Sequence, residues 1–458
     1  LQEGSQESKE IFKEMKGLKR LFSMVLLAAG CLTLAAGSTT EKVGSERPRN
    51  YSEWLTRSEM KREPRSYMLD YSWRPNWGYV MGIELESMLD TYLRYGGDDI
   101  RDYCLLYTDT MIAPDGTIKH YKLDAYNLDN VRTGHFVNRM NQNFPEQRYI
   151  KAMNTLMRQL NDQPRTNEGV YWHKAIYSYQ VWLDGIFMGL PFRVLTASQI
   201  YTPELAKPIY DDAVDQVKST YDRTYDPKTG LNRHAWDESR EMFWSDNETG
   251  LSQHCWGRAQ GWYTMALVEL LDALPEDYER RGEVIDLLTC CFDNIIKWQD
   301  PKTGVWYQVM DSPEREGNYL ESTCSSMFAY SLLKAARKGW VTDPKYREAG
   351  IKAYEGIIDN FIREDEDGTI SLTDCCVVAG LGPGISDAVL KAAPKVKENK
   401  RRDGSYAYYL SEPIRDNDAK GVGPFIWASL EMEDLGYNVD SFKKNHKNAQ
   451  KSSKKGKD

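Results

Sequence analysis

Twelve stretches of helical hydrophobic period follow one another along this chain, with few alternating, strand-like runs between them. They predict helices near 50–61, 79–95, 98–113, 128–140, 147–161, 182–200, 205–223, 256–274, 280–298, 322–338, 344–363 and 422–435. In one of them Val268, Leu271 and Leu274, with Ala266, Leu267 and Leu270 alongside, show apolar residues three and four apart, the spacing of one helix face. No break in composition divides the set. The pattern therefore predicts a single all-α domain over 45–440: six helical hairpins closed into an (α/α)6 toroid, an inner six buried within an outer six. The even-numbered segments are the more apolar and glycine-rich at their starts, so they form the inner set.

A ring of this kind puts all six inner-helix starts at one end. The unusual residues of the chain lie at those starts: Trp77-Gly78-Tyr79, Asn127-Leu128-Asp129, Trp182-Leu183-Asp184, Trp256-Gly257-Arg258, Glu321-Ser322-Thr323 and Gly421-Val422-Gly423. Six helix N-termini would turn their partial positive charge towards one cleft, which favours an anionic ligand. The longest connections, 224–255, 299–321 and 364–421, open onto the same end, where function concentrates.

Thirteen Trp and 29 Tyr supply flat amphipathic side chains, useful in a core and equally in a sugar cleft. The net charge of -9 and the lack of a basic stripe argue against nucleic acid as a partner. The eight Cys form no CxxC pair, so a zinc site is not expected and most read as small buried hydrophobes. No phosphate loop, GxGxxG, HExxH or GxSxG motif is present, and nothing requires a metal or cofactor. Asp365, Asp367 and Gly368 resemble part of a calcium loop but lack the other ligands, and read as a turn. Residues 15–37 read as an export signal: a basic start, a short apolar run and small residues after it. Cys31 sits in a pattern close to a bacterial lipoprotein processing box, which would make it a lipid anchor in a periplasmic or membrane-attached protein. Residues 1–14 read as an overcalled start or a remnant of cloning, and 441–458 as a disordered Lys-rich tail. Nothing separates a monomer from a homodimer.

The chemistry is expected at Asp129 and Asp184, each at an inner-helix start. Two carboxylates in different surroundings can split acid and base roles, although either can equally be a helix cap. Asp184 is walled by apolar side chains, which disfavour its charged form. His234 stands in a polar loop beside Trp236. Arg258 is suited to clamp a carboxylate with two parallel hydrogen bonds. Trp182, Trp256 and Trp262 are flat enough to floor a sugar; Trp77 and Gln180 complete the expected binding set.

Taken in order, Tyr126-Asn127-Leu128-Asp129, Trp182-Leu183-Asp184-Gly185-Ile186-Phe187-Met188, His234-Ala235-Trp236-Asp237-Glu238-Ser239, Trp256-Gly257-Arg258-Ala259-Gln260-Gly261-Trp262-Tyr263, Glu321-Ser322-Thr323, Asp403-Gly404-Ser405-Tyr406, Tyr409-Leu410-Ser411-Glu412-Pro413 and Gly421-Val422-Gly423-Pro424-Phe425 make a specific set. The chain resembles glycoside hydrolase family 105, the unsaturated rhamnogalacturonyl hydrolases, and the related unsaturated glucuronyl hydrolases. Ala259-Gln260 departs from the Gly-Asn of many relatives, at the cleft edge. The resemblance implies a six-hairpin toroid and an oligosaccharide substrate with a terminal 4,5-unsaturated uronate left by a polysaccharide lyase. It also implies that Asp184 protonates C4 while water adds at C5, and that Asp129 orients hydroxyls and raises the pKa of Asp184 by like charge. Arg258 and His234 would hold the uronate, and Trp182 and Trp256 would stack on the ring. The implied default is an unsaturated galacturonate released from rhamnose; an unsaturated glucuronyl hydrolase acting on another glycan, a conventional inverting glycosidase on the same fold and a non-catalytic glycan-binding lipoprotein are the alternatives.

Overall fold

In the computed structural model, which describes residues 48–382 and 402–442, each of the twelve segments holds a helix. In chain order these are α1 (Tyr51–Arg62), α2 (Tyr79–Tyr95), α3 (Asp98–Met111), α4 (Thr133–Asn143), α5 (Gln147–Asp162), α6 (Leu183–Ile200), α7 (Pro203–Thr224), α8 (Gly257–Ala273), α9 (Arg281–Ile295), α10 (Ser322–Arg337) and α11 (Pro344–Phe361). A short α12 (Tyr406–Ser411) was not expected, and α13 (Ala419–Asp434) is the last of the ring. Pro at the first helical position of α7 and α11 costs no hydrogen bond and presets the helical φ. The contacts run α2 to α4, α4 to α6, α6 to α8, α8 to α10, α10 to α13 and α13 back to α2. This is the closed inner ring of an (α/α)6 toroid. Every residue of α8 except Asp272 is buried, whereas outer α5 buries one face.

Closure needs small residues where inner helices meet. A Cβ on Gly423 of α13 would stand 2.6 Å from Ile83 Cγ2 of α2, and one on Gly82 would stand 2.7 Å from the Thr133 Cα of α4. Phe442 is buried and packs near Tyr51 and Tyr354, so ordered packing runs past the expected start of the tail at 441. The expected export signal at 15–37, Cys31, residues 1–14 and the tail from 443 lie outside the described residues.

Two features depart from the periodic pattern. The second inner helix, α4, begins at Thr133, not 128. Asn127 Oδ1 accepts the Asp129 N–H at 3.1 Å and the His173 carbonyl accepts Leu128 N–H at 3.2 Å, so 128–130 becomes a separate 3-10 turn. Four two-stranded antiparallel ribbons also occur, all in connections at the end where the inner helices start: β1 (Gln180–Trp182) with β4 (Ala235–Asp237), β2 (Tyr225–Asp226) with β3 (Leu231–Asn232), β5 (Ile362–Glu364) with β6 (Ile370–Leu372), and β7 (Cys375–Cys376) with β8 (Ile414–Arg415). Such short runs carry too little alternation to be read from sequence. The Asp365 turn joins β5 to β6, with Gly368 at φ +82°. Six of the seven described Cys are buried free thiols; Cys290 is exposed.

Candidate active site

The β1–β4 ribbon joins the two residues with most chemical promise. Its register sets Val181 opposite Trp236 and Trp182 opposite Ala235, and one step further the Leu183 N–H donates to the His234 carbonyl at 3.1 Å. Asp184 then falls in the first turn of α6. Trp182 holds the N-cap position, and Asp184 has turned away from the capping role to face His234, with Oδ2 3.3 Å from Nε2. Both residues are buried, and neither of these two atoms has a hydrogen-bond partner of good geometry among the described residues. The other ring nitrogen of His234, Nδ1, lies 2.8 Å from the Tyr409 hydroxyl. When that hydroxyl donates to Nδ1, the ring proton belongs on Nε2, facing Asp184.

Asp129 stands in the 3-10 turn before α4. Lys174 Nζ is 2.6 Å from its Oδ2 and His173 Nε2 is 3.2 Å from its Oδ1. Burial opposes the charge of Asp129, but Lys174 and His173 more than offset it and hold the carboxyl well below the usual range. Burial likewise works against Lys174, and Asp129, with smaller contributions from Tyr177 and Asp184, raises its pKa. Lys174 thus pairs with Asp129 and also feels the charge of Asp184. Gly185 makes room for this arrangement, since a Cβ there would stand 2.9 Å from His173 Nδ1 and 3.2 Å from Leu128 Cδ1.

The aromatic residues divide into two groups. Trp182 lies parallel to His173 (4.7 Å, 5°) and Tyr177 (4.9 Å, 12°), edge-on to His234, and its Nε1 donates to Gln180 Oε1 at 3.1 Å. Gln180 is thus an anchor for Trp182. Trp256 sits 4.7 Å from the His234 ring, stacks on Tyr409 and carries the Arg258 guanidinium 4.7 Å from its centroid. These rings line the Asp184–His234 pair. Trp262 and Trp77 do not join them. Trp262 packs on Phe187 (4.9 Å) and Tyr79 in the inner ring, and Trp77 stacks on Tyr107 while donating to the Asn130 carbonyl at 2.8 Å. Both pack away from the Asp184–His234 pair, so of the four Trp expected at the cleft Trp182 and Trp256 are the two that lie against that pair.

Arg258 is 1% exposed. Its Nη1 donates to the Cys376 carbonyl, while Nε and Nη2 have no hydrogen-bond partner among the described residues. Those two groups share one edge of the guanidinium, the edge that offers two parallel N–H donors to a carboxylate. Burial opposes the charge on Arg258, and Cys376, Asp418 and Glu321 together keep its pKa above the ordinary value. Two of the six helix N-termini at the cleft are already occupied: Glu321 caps α10 through the Cys324 N–H at 2.7 Å and Asp418 caps α13 through the Lys420 N–H at 3.0 Å. The expectation of six free positive helix ends is reduced to four accordingly.

His173, Lys174 and Tyr409 were not singled out as site residues from sequence. His173-Lys174 lies in a polar loop of a chain with only six His, the same signal that drew notice to His234. Tyr409 opens one of the stretches that carry the family resemblance, Tyr409-Leu410-Ser411-Glu412-Pro413, but no role attaches to it there; only the fold brings it to the His234 ring.

The model of glycosyl hydrolase family 88 matches residues 51–435 of the chain. A solved glycoside hydrolase of family 105 from C. acetobutylicum is 39% identical and superposes with a TM-score of 0.76, covering 84% of this chain and 100% of its own. A protein from Agrobacterium fabrum is 37% identical over 247 residues, 53% of this chain and 97% of its own length. The unsaturated rhamnogalacturonyl hydrolase YesR of Bacillus subtilis is 22% identical over 313 residues, 67% of this chain and 80% of its own.

Proposed function

This chain belongs to the glycoside hydrolases of families 88 and 105 and is a glycosidase, and from that premise we propose that it hydrates the C4=C5 bond of a 4,5-unsaturated galacturonate at the non-reducing end of lyase products, releasing it from rhamnose. The unpaired Nε/Nη2 edge of buried Arg258 carries this reading. It offers a bidentate seat for a carboxylate, and Trp256 touches both Arg258 and the His234 ring that faces Asp184.

In this mechanism Asp184 gives its proton to C4, and positive charge develops at C5, stabilised by the ring oxygen. Water adds at C5 and yields a proton to the Asp184 carboxylate, which His234 Nε2–H steadies while it is ionised. The resulting hemiketal opens, breaking the C5–ring oxygen bond to give a ketone at C5 and a hemiacetal at C1, which collapses to an aldehyde as its bond to the rhamnose oxygen breaks and rhamnose leaves as an alcohol. One water is consumed and Asp184 ends as it began. Asp129, held ionised by Lys174 and His173, accepts hydrogen bonds from sugar hydroxyls. Because the anomeric bond is never attacked, the separation of the two carboxylates does not forecast a stereochemical outcome.

The test is the ultraviolet absorbance of the conjugated enol ether in a rhamnogalacturonan-lyase digest. Decay with this protein supports the reading. Decay only with unsaturated glucuronyl oligosaccharides keeps the chemistry and changes the sugar. Turnover of saturated chains alone would replace it with conventional hydrolysis. Residues 15–37 and Cys31 support export with a lipid anchor at Cys31; Cys31→Ser is expected to move the expressed protein from the membrane fraction to the soluble fraction.

A further inference from the structure

Glu321 is fully buried, yet no cation lies within ion-pairing distance of it among the described residues. Both of its oxygens are committed to backbone. Oε2 accepts the Cys324 N–H at 2.7 Å, capping α10, and Oε1 accepts the Cys376 N–H at 2.8 Å in strand β7. The carbonyl of that same Cys376 accepts from Arg258 Nη1. The Gln308 amide meets the Cys376 side chain from the other direction, with Nε2 3.0 Å from Sγ. A rigid inner helix, a carboxylate, a two-residue strand and a guanidinium are thus joined in series. The Cys376 carbonyl is the one hydrogen-bond acceptor that fixes the plane of Arg258 among the described residues, and that plane decides where the Nε/Nη2 edge points.

We propose that Glu321 is the positioning residue of the uronate clamp: it holds strand β7 on the start of α10, and so aims Arg258 at the substrate carboxylate. A simple capping role would need one oxygen and would not reach β7. The second hydrogen bond, to a different element 55 residues away, is what ties the cap to the site. The buried negative charge also belongs here, because it is among the charges that keep the guanidinium cationic in a site closed to water. An amide in its place turns an N–H2 towards one of the two backbone donors and loses that anchor.

This inference rests on the uronate-hydrating reading, and its test is built so that the two fail separately. The substrate is the lyase-derived unsaturated oligosaccharide, and its methyl ester serves as the uncharged control. Loss of absorbance with wild type on the free acid tests the reading itself. Given that activity, Glu321→Gln is expected to raise KM for the free acid about tenfold, the weight of one misaimed charge-assisted bond, with a much smaller change in kcat and no comparable change for the ester. Glu321→Asp, which retains the charge on a side chain one methylene shorter, is expected to keep the cap, lose the bond to β7 and show the same split with a thermal midpoint modestly below wild type, and covers the case in which the Gln variant does not fold. In a double-mutant cycle, Glu321→Gln added to Arg258→Gln is expected to cost little beyond Arg258→Gln alone. Equal losses on acid and ester, or additive losses in the cycle, would overturn the proposal and leave Glu321 as a cap only.

Discussion

At the scale of single residues, the site is a pair of carboxylates in unlike company. Asp184 faces a His nitrogen that can hold a proton; Asp129 faces Lys174 at 2.6 Å and His173 at 3.2 Å. In the proposed mechanism that difference divides the work, with proton transfer at Asp184 and hydroxyl binding at Asp129. Asp184→Asn keeps size and shape but has no proton to give to carbon, so we expect the absorbance decay to slow by at least about a thousandfold while the thermal midpoint stays near wild type; a near-normal rate would remove Asp184 from the mechanism. Lys174→Met leaves the Asp129 carboxylate buried beside His173 alone, and is expected to cost about 3 kcal/mol at neutral pH. The pH dependence follows from the shifts. The folded pKa of Asp129 is depressed, so its share of stability is present above the unfolded carboxyl value of about 4 and fades as pH falls below it. The folded pKa of Lys174 is raised, so its share is present below the unfolded value of about 10 and fades as pH rises through the folded one. Thermal melts of wild type and variant across pH should therefore differ most between about 5 and 9 and converge at acid pH.

At the scale of elements, the ribbon β1–β4 and the loop holding His173 do what a helix alone does not. Helix α6 presents Asp184 in its first turn, but the ribbon register decides that His234, 50 residues later, meets it. The close approach of the 173–174 loop to the first turn of α6 depends on the absence of a side chain at position 185. Gly185→Ala would place a methyl 2.9 Å from His173 Nδ1. A ring held between Asp129 and Trp182 has little room to give. We expect the rate to fall about tenfold or more, with stability lower by about 1–3 kcal/mol. Unchanged kinetics would mean that the loop relaxes without disturbing Asp129. Helix positions were legible in the sequence because apolar spacing repeats over four or more turns. The ribbons were not, since two or three residues hold no period, and α4 was placed too early because Asn127 bonds its own local backbone in competition with the helix.

At the scale of the molecule, the toroid closes by contact between its first and last inner helices. Gly423 of α13 lies against Ile83 of α2, where a Cβ would stand 2.6 Å from Cγ2 and 3.1 Å from the carbonyl oxygen. Gly423→Val is therefore expected to part the two helices, lowering stability by about 1–3 kcal/mol and taking activity with it, since α13 carries Asp418 and follows the strand pair that holds Arg258. A melt that matches wild type would show that closure tolerates a wider spacing. Inside the ring, buried Arg132 at the start of α4 pairs with Glu86 of α2 at 3.1 Å and Glu269 of α8 at 3.0 Å, tying three inner helices together.

The sequence by itself determined the twelve helices of the two rings, their alternation between inner and outer, and the end of the ring at which Asp129, Asp184, His234 and Arg258 would lie. Each of these follows from periodicity and from position relative to a helix start, properties of neighbouring residues along the chain. Tertiary structure alone decided which groups touch. It set Lys174 and His173 on Asp129, Tyr409 on His234, Glu321 on the strand behind Arg258, and it withdrew Trp77 and Trp262 from the cleft into packing. Those outcomes depend on distances between residues dozens to hundreds of positions apart, and no local pattern encodes them: the role of a carboxylate is set by the charge and hydrogen bonds around it, which exist only once the ring has closed.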